Sequence, residues 1–167
     1  MSRTLVAGVG NIFLGDDAFG SEVVRALAGT PVPDGVEISD YGIRGVHLAY
    51  QLLDGYDLLV LIDAAPRGNE PGTVALLEVE LDEIEAAPTA ERPIVDAHGM
   101  EPVSILSMLT PLGGRVSRVL VVGCEPESVE ERIGLSEVVA AAVPRAVELV
   151  LDIVTGAHET TKGVSNR

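Results

Sequence analysis

The chain of 167 residues has one cysteine, no tryptophan, two phenylalanines and three tyrosines. A lone thiol, Cys124, excludes an intramolecular disulfide and a cysteine-rich metal cage. Its place at the end of the run Val119–Gly123 reads as a small buried core residue rather than a catalytic nucleophile. With 47% hydrophobic residues and so few rings, the core must be aliphatic. Positive charge is also scarce. Eleven Lys and Arg face 26 Asp and Glu, a net charge of −15, which argues against nucleic acid or an anionic membrane as the main partner. No apolar run approaches the length of a membrane span. Met1-Ser2-Arg3-Thr4 leads straight into a strand without the apolar segment of a signal peptide, so the expected location is the cytoplasm. The His-Glu-x-x-His, Gly-x-Ser-x-Gly and P-loop signatures are all missing.

What is present is alternation. Four short runs rich in Val, Leu and Ile read as buried strands: Thr4–Val9, Val36–Ser39, Leu58–Ile62 and Arg118–Val122. They lack polar alternation, as expected of strands covered on both faces by helices. Thr73–Val79 follows Pro71-Gly72 closely enough to be antiparallel to its neighbour. Helices are expected over Ala18–Ala28, Gly45–Leu53, Glu101–Leu112 and from the N-cap residue Ser136 to about Val154, with Pro144 kinking or dividing the last one. This order predicts a single three-layer α/β domain over residues 1–155. The acidic, proline-containing stretch Glu80–Ala97 reads as a surface excursion. The polar tail 156–167 is expected to be disordered.

In an open α/β sheet, ligands bind beyond the carboxyl ends of the parallel strands. The first strand ends in Gly8-Val9-Gly10-Asn11 and continues to Asp16-Asp17; the second is followed by Asp40-Tyr41-Gly42 and the third by Asp63-Ala64. A glycine turn at such an edge usually cradles phosphate. Here the adjoining carboxylates would repel phosphate and attract a cation. His98 lies just before an expected helix start. Asp17, Asp63 and His98 can together offer carboxylate oxygen and imidazole nitrogen to nickel, zinc or cobalt. The dinucleotide fingerprint is incomplete, since no glycine follows Gly10 at the required spacing. Asp40, however, mimics a ribose-binding acid, which keeps a nucleotide-binding module as the alternative.

The ordered set Gly8-x-Gly10-Asn11-x-x-x-x-Asp16-Asp17, Asp40-x-Gly42, Asp63-Ala64, Asp96-x-His98-Gly99 and Gly123-Cys124-Glu125-Pro126 resembles the hydrogenase maturation proteases, over about residues 3–155. The resemblance implies a phosphorylase/hydrolase-like α/β/α sandwich with a five-stranded mixed sheet. It also implies metal-binding positions at Asp17, Asp63 and His98. The implied activity is removal of the C-terminal extension of a nickel–iron hydrogenase large-subunit precursor, by a monomer, after nickel insertion. The nickel would be carried by the substrate, with zinc or cadmium able to occupy the site in vitro. A non-proteolytic nickel-binding accessory protein would use the same ligands. The group that activates water is open between the metal and an aspartate such as Asp40 or Asp16. Asn11, Gly42 and Arg44 are the candidate substrate-binding residues. Arg44 falls in Gly42-Ile43-Arg44-Gly45, where the family often has Gly-Thr-x-Gly.

Overall fold

A computed structural model describes residues 2–81 and 102–156. Within them, strands β1 (Thr4–Val9), β2 (Val36–Gly42), β3 (Tyr56–Ala64), β4 (Val74–Glu78) and β5 (Val116–Cys124) form one sheet in the order β2-β1-β3-β5-β4. The first three and β5 are parallel to their neighbours, and β4 runs antiparallel. The turn at Pro71-Gly72 does reverse the chain. The partner of β4 is nevertheless β5, because β3 is already flanked by β1 and β5.

Strand alternation sorts the core into two halves. Leu5, Ala7, Val9, Leu59, Leu61, Val119 and Val121 point to one face. There they meet helix α2 (Gly45–Leu52) through Leu48 and Leu52, and α3 (Pro102–Leu109) through Ile105 and Leu109. Val6, Val60, Ile62, Leu120 and Val122 point to the other face, against Phe19, Val23 and Leu27 of α1 (Phe19–Leu27). The same half takes Val139 of α4 (Glu137–Ala140) and Ala146, Val150 and Ile153 of α5 (Val143–Val154). The result is the expected α/β/α sandwich. The last helix is divided where Pro144 was expected to act: the proline occupies the first turn of α5, where its missing N–H costs nothing. Residues 82–101, with most of the acidic excursion and His98, lie outside the described residues, as does the tail from 157 onward.

Three strands run further than expected, β5 by two residues at each end. β2 continues through Asp40, Tyr41 and Gly42, and β3 through Asp63 and Ala64, because the ladder persists after the side chains turn polar. Asp40 pairs with Gly8 and Gly42 with Val9, so Tyr41 is one extra residue bulged into β2. Its side chain is buried on the α2 side. Bulges re-aim side chains at sheet ends, and this one sits where the carboxylates begin.

The start of α1 is pressed onto the sheet. A Cβ at Gly20 would collide with the Ile62 carbonyl oxygen and stand 2.5 Å from that of Val9. Only hydrogen fits there. Gly20→Ala is therefore expected to destabilise the protein by about 1–3 kcal/mol or more, the usual effect of overpacking a tight interior. A thermal midpoint by circular dichroism equal to that of the wild type would contradict this packing.

Candidate active site

The loop leaving β1 is closed by its own backbone. Gly10 N–H donates to the Gly42 carbonyl (2.9 Å), Leu14 N–H to Asn11 (3.1 Å) and Asp17 N–H to Leu14 (3.1 Å). Side chains complete the turn. Asn11 N–H donates to Asp17 Oδ2 (2.8 Å), and Phe13 N–H to Asn11 Oδ1 (2.9 Å). Gly15 N–H donates to the Arg132 carbonyl (2.9 Å) and Asp16 N–H to the Ser128 carbonyl (2.9 Å). Amides of this loop are the ones a phosphate cradle would need. They are spent on the protein itself, which removes the physical basis for the nucleotide-binding alternative.

Asp16 and Asp17 are adjacent in a 3-10 turn (Gly15–Ala18) and face different surroundings. Asp16 is fully buried. Its Oδ2 accepts from Glu127 N–H (2.8 Å), Ser128 N–H (3.1 Å) and Ser136 Oγ–H (2.9 Å), and its Oδ1 from Ser136 N–H (2.7 Å). Burial pushes its pKa upward, but the donors from Ser136, Glu127 and Ser128 outweigh that and hold it below the ordinary value of 3.8. A carboxylate with its lone pairs already engaged and no contact with solvent is an anchor. It is not a general base, so the Asp16 candidacy is corrected here. The hydroxyl of Ser136 is part of the same anchor. Ser136 does sit at the N-cap of α4, but it makes no side-chain cap bond.

Asp17 is partly buried, with its Oδ2 on the Asn11 amide. A Cβ on Gly10 would collide with the Asp17 carbonyl oxygen and stand 3.4 Å from Asp63 Oδ1. Gly10, with φ of 132°, is thus wedged between the two acidic residues. Asp63 Oδ1 also accepts from Ala64 N–H (2.7 Å). Asp17 and Asp63, 46 positions apart, thus meet at the same glycine, the first through its backbone carbonyl and the second through its carboxylate. The third expected ligand, His98, lies outside the described residues, and these alone hold no cluster of three metal-binding side chains.

Asp40 goes elsewhere. Its Oδ1 accepts from Ser21 Oγ–H of α1 (2.8 Å) and from Gly42 N–H (3.0 Å), which places it on the α1 side of the sheet. It is exposed and oriented, the condition a base requires. Ser21 escaped sequence reasoning, because a single serine inside a helix carries no pattern. Arg44 is turned onto its own chain. Nη2 donates to the Asp40 carbonyl (2.7 Å) and Nε to the Tyr41 carbonyl (3.1 Å), so it caps the end of the edge strand β2. Cys124 behaves as the buried core residue expected. Burial, reinforced by the negative charge of Asp16, pushes its thiol up to about 11. At neutral pH it is no nucleophile.

A second buried carboxylate is Glu125, quoted in the sequence motif without a role, whose Oε1 accepts from Arg67 N–H (2.8 Å) and Asn69 N–H (3.2 Å). It pins the loop after β3, next to Asp63.

A family model described as hydrogenase maturation protease (HycI) matches residues 21–153. The chain belongs to the hydrogenase maturation protease family. It is 36% identical over 150 residues to the hydrogenase 2 maturation protease of Escherichia coli K12, covering 89% of this chain and 88% of that protein. The solved structure of the hydrogenase maturating endopeptidase HybD from E. coli superimposes with a TM-score of 0.77 and 36% identity, covering 93% of each chain. The [NiFe] hydrogenase maturation protease HycI from Thermococcus kodakarensis gives a TM-score of 0.71 at 26% identity, covering 92% of this chain and 93% of that one. Membership makes the protein a hydrolase of the endopeptidase type. Among the described residues no helix is long and apolar enough to cross a membrane.

The Asp16 anchor has a testable pH signature. A folded-state pKa below the unfolded one means that the ionised carboxylate stabilises the fold above the ordinary value, and that this contribution is lost as pH falls through the folded value. Asp16→Asn would set an NH2 group against amide or hydroxyl donors. It is expected to be less stable at neutral pH and to lose less stability on acidification from about pH 5 to 2. Denaturant midpoints measured across that range check both effects; parallel curves for variant and wild type would refute the anchor.

Proposed function

We propose that this protein is the endopeptidase that removes the C-terminal extension of a nickel–iron hydrogenase large-subunit precursor once nickel has been inserted. The observation that carries this reading is the packing of Gly10 between the Asp17 backbone carbonyl and Asp63 Oδ1, which brings both aspartates to one turn at the carboxyl edge of the sheet. Two oxygen donors at an open edge suit a divalent ion presented by another molecule better than a resident one, which the protein would enclose. His98 would add a nitrogen donor of the kind nickel accepts. The ion is thus part of the substrate. Holding it there fixes the precursor's chain end against the sheet edge and orients one peptide bond.

Hydrolysis then needs water delivered to the scissile carbonyl, with the proton passing to the departing amine. Of the two aspartates considered as base, Asp40 keeps the role and Asp16 does not. Asp40 faces solvent, and Ser21 and Gly42 hold its Oδ1 in place. The family assignment supports the proteolytic reading over a non-proteolytic nickel-binding accessory protein.

Asp63→Asn keeps the size of the side chain and removes the charge that faces the ion. Processing of a nickel-loaded precursor is expected to fall by more than about a hundredfold, beyond the loss typical of an outer-sphere partner. The wild type should leave the nickel-free precursor uncut. Mobility of the precursor on a denaturing gel reports both results. Equal cutting of loaded and nickel-free precursor would sink nickel recognition.

A further inference from the structure

Three large apolar side chains are exposed where the β1 loop meets the loop after β5: Ile12 at 45%, Phe13 at 63% and Ile133 at 70%. They are held together by the backbone. Arg132 N–H donates to the Phe13 carbonyl (2.9 Å), Gly15 N–H to the Arg132 carbonyl (2.9 Å), and Leu14 bridges Arg132 in parallel. The buried Asp16 carboxylate fixes the second loop from below through Glu127, Ser128 and Ser136. The patch is therefore rigid and exposed at once. It costs solubility and contributes nothing to the core, which is the mark of a recognition surface.

Ile12 and Ile133 also form one wall of a groove of about 610 Å³, whose other lining includes Ala18, Ser21, Leu135 and Asp40. The remaining charges on the groove are Glu22 and Arg25, which pair at 3.6 Å and offset each other. What is left is an apolar wall over the Asp40 carboxylate, on a chain of net charge −15.

The geometry points to this collar and groove as the subsite that grips the precursor's polypeptide next to the scissile bond, through an apolar side chain seated on Ile12, Phe13 and Ile133. This rests on the proteolytic reading above. Charge decides which part of the precursor is seated. The free C-terminal carboxylate of the extension would be repelled by Asp40 and by the acidic chain as a whole, so the occupant is the segment that spans the cleaved bond. The subsite lies on the α1 side of the sheet, whereas Asp63 belongs to β3. The substrate would thus be held at two separate points across the Gly8–Gly10 turn, one polar and one apolar.

The test uses the full-length protein and a nickel-loaded large-subunit precursor, with initial cutting rates measured against precursor concentration. For the double variant Phe13→Ser, Ile133→Ser, the half-saturating concentration is expected to rise about tenfold with little change in maximal rate, as for truncated anchors of an interface. Tyr50→Ser, an exposed residue of α2, should saturate like the wild type. Both substituted positions are exposed, so the thermal midpoint should hold. Ile133→Thr, which keeps the β-branched shape, replaces the double variant if that loses its cooperative transition, and should move saturation in the same direction. A wild type that leaves the precursor uncut would remove the proteolytic reading and the subsite with it. A wild type that cuts, with substituted proteins saturating at the same concentration, would overturn the subsite alone.

Discussion

A buried carboxylate organises the functional edge of this protein. Asp16 accepts four hydrogen bonds from the segment that leads from β5 to α4, and no solvent reaches it. A negative charge at that depth is tolerated only because its acceptors are filled by converging donors. The same donors would otherwise be unsatisfied backbone amides in a loop with no strand to pair with. Each side satisfies the other. The loop's position fixes Arg132 against Phe13, hence the rim of the groove. It also places the Cys124–Glu125 corner, from which Glu125 holds the loop behind Asp63.

Close approach of backbone to backbone is the second constraint. Gly20 admits the carbonyls of Val9 and Ile62, and Gly10 admits Asp17. Where α1 enters almost in contact with the sheet, the 3-10 turn ahead of it can turn Asp16 inward and leave the Asp17 side chain on the β1 loop. In such a turn successive side chains diverge by about 120°. Two identical neighbours thereby enter different surroundings: Asp16 is fully buried on the donors of the β5–α4 segment, while Asp17 is partly buried on the Asn11 amide. Asp40 is separated from both by its bond to Ser21, on the α1 side of the sheet.

Electrostatics follows from this arrangement. Among the described residues most acids lie at the surface, yet Asp16 and Glu125 are turned inward as fasteners for loops. Their negative charge also acts on Cys124. The thiol stays protonated beside Asp16, so the single cysteine is protected from the chemistry of the cleft rather than recruited to it. Arg44, offered from sequence as a residue for the substrate's peptide, instead caps the open carbonyls at the end of β2. Edge strands need such protection against unwanted pairing.

Much of this was legible in the sequence, for local reasons. Unbroken aliphatic runs in β1, β3 and β5 mark strands covered on both faces. Pro144 marks a break in the last helix, and the glycines around position 10 mark a turn that must come close to something. The ordered motifs point to the family by themselves. Tertiary structure decided the rest, because those choices depend on residues remote in the chain. The partner of β4 was set by which edge of the sheet remained open, and the extra length of β2 and β3 by ladders that ignore side-chain polarity. Nothing in the string Asp16-Asp17 says which carboxylate turns inward. The donors that settle it come from residues 127–136, more than a hundred positions away, and they exist only once β5 lies beside β3.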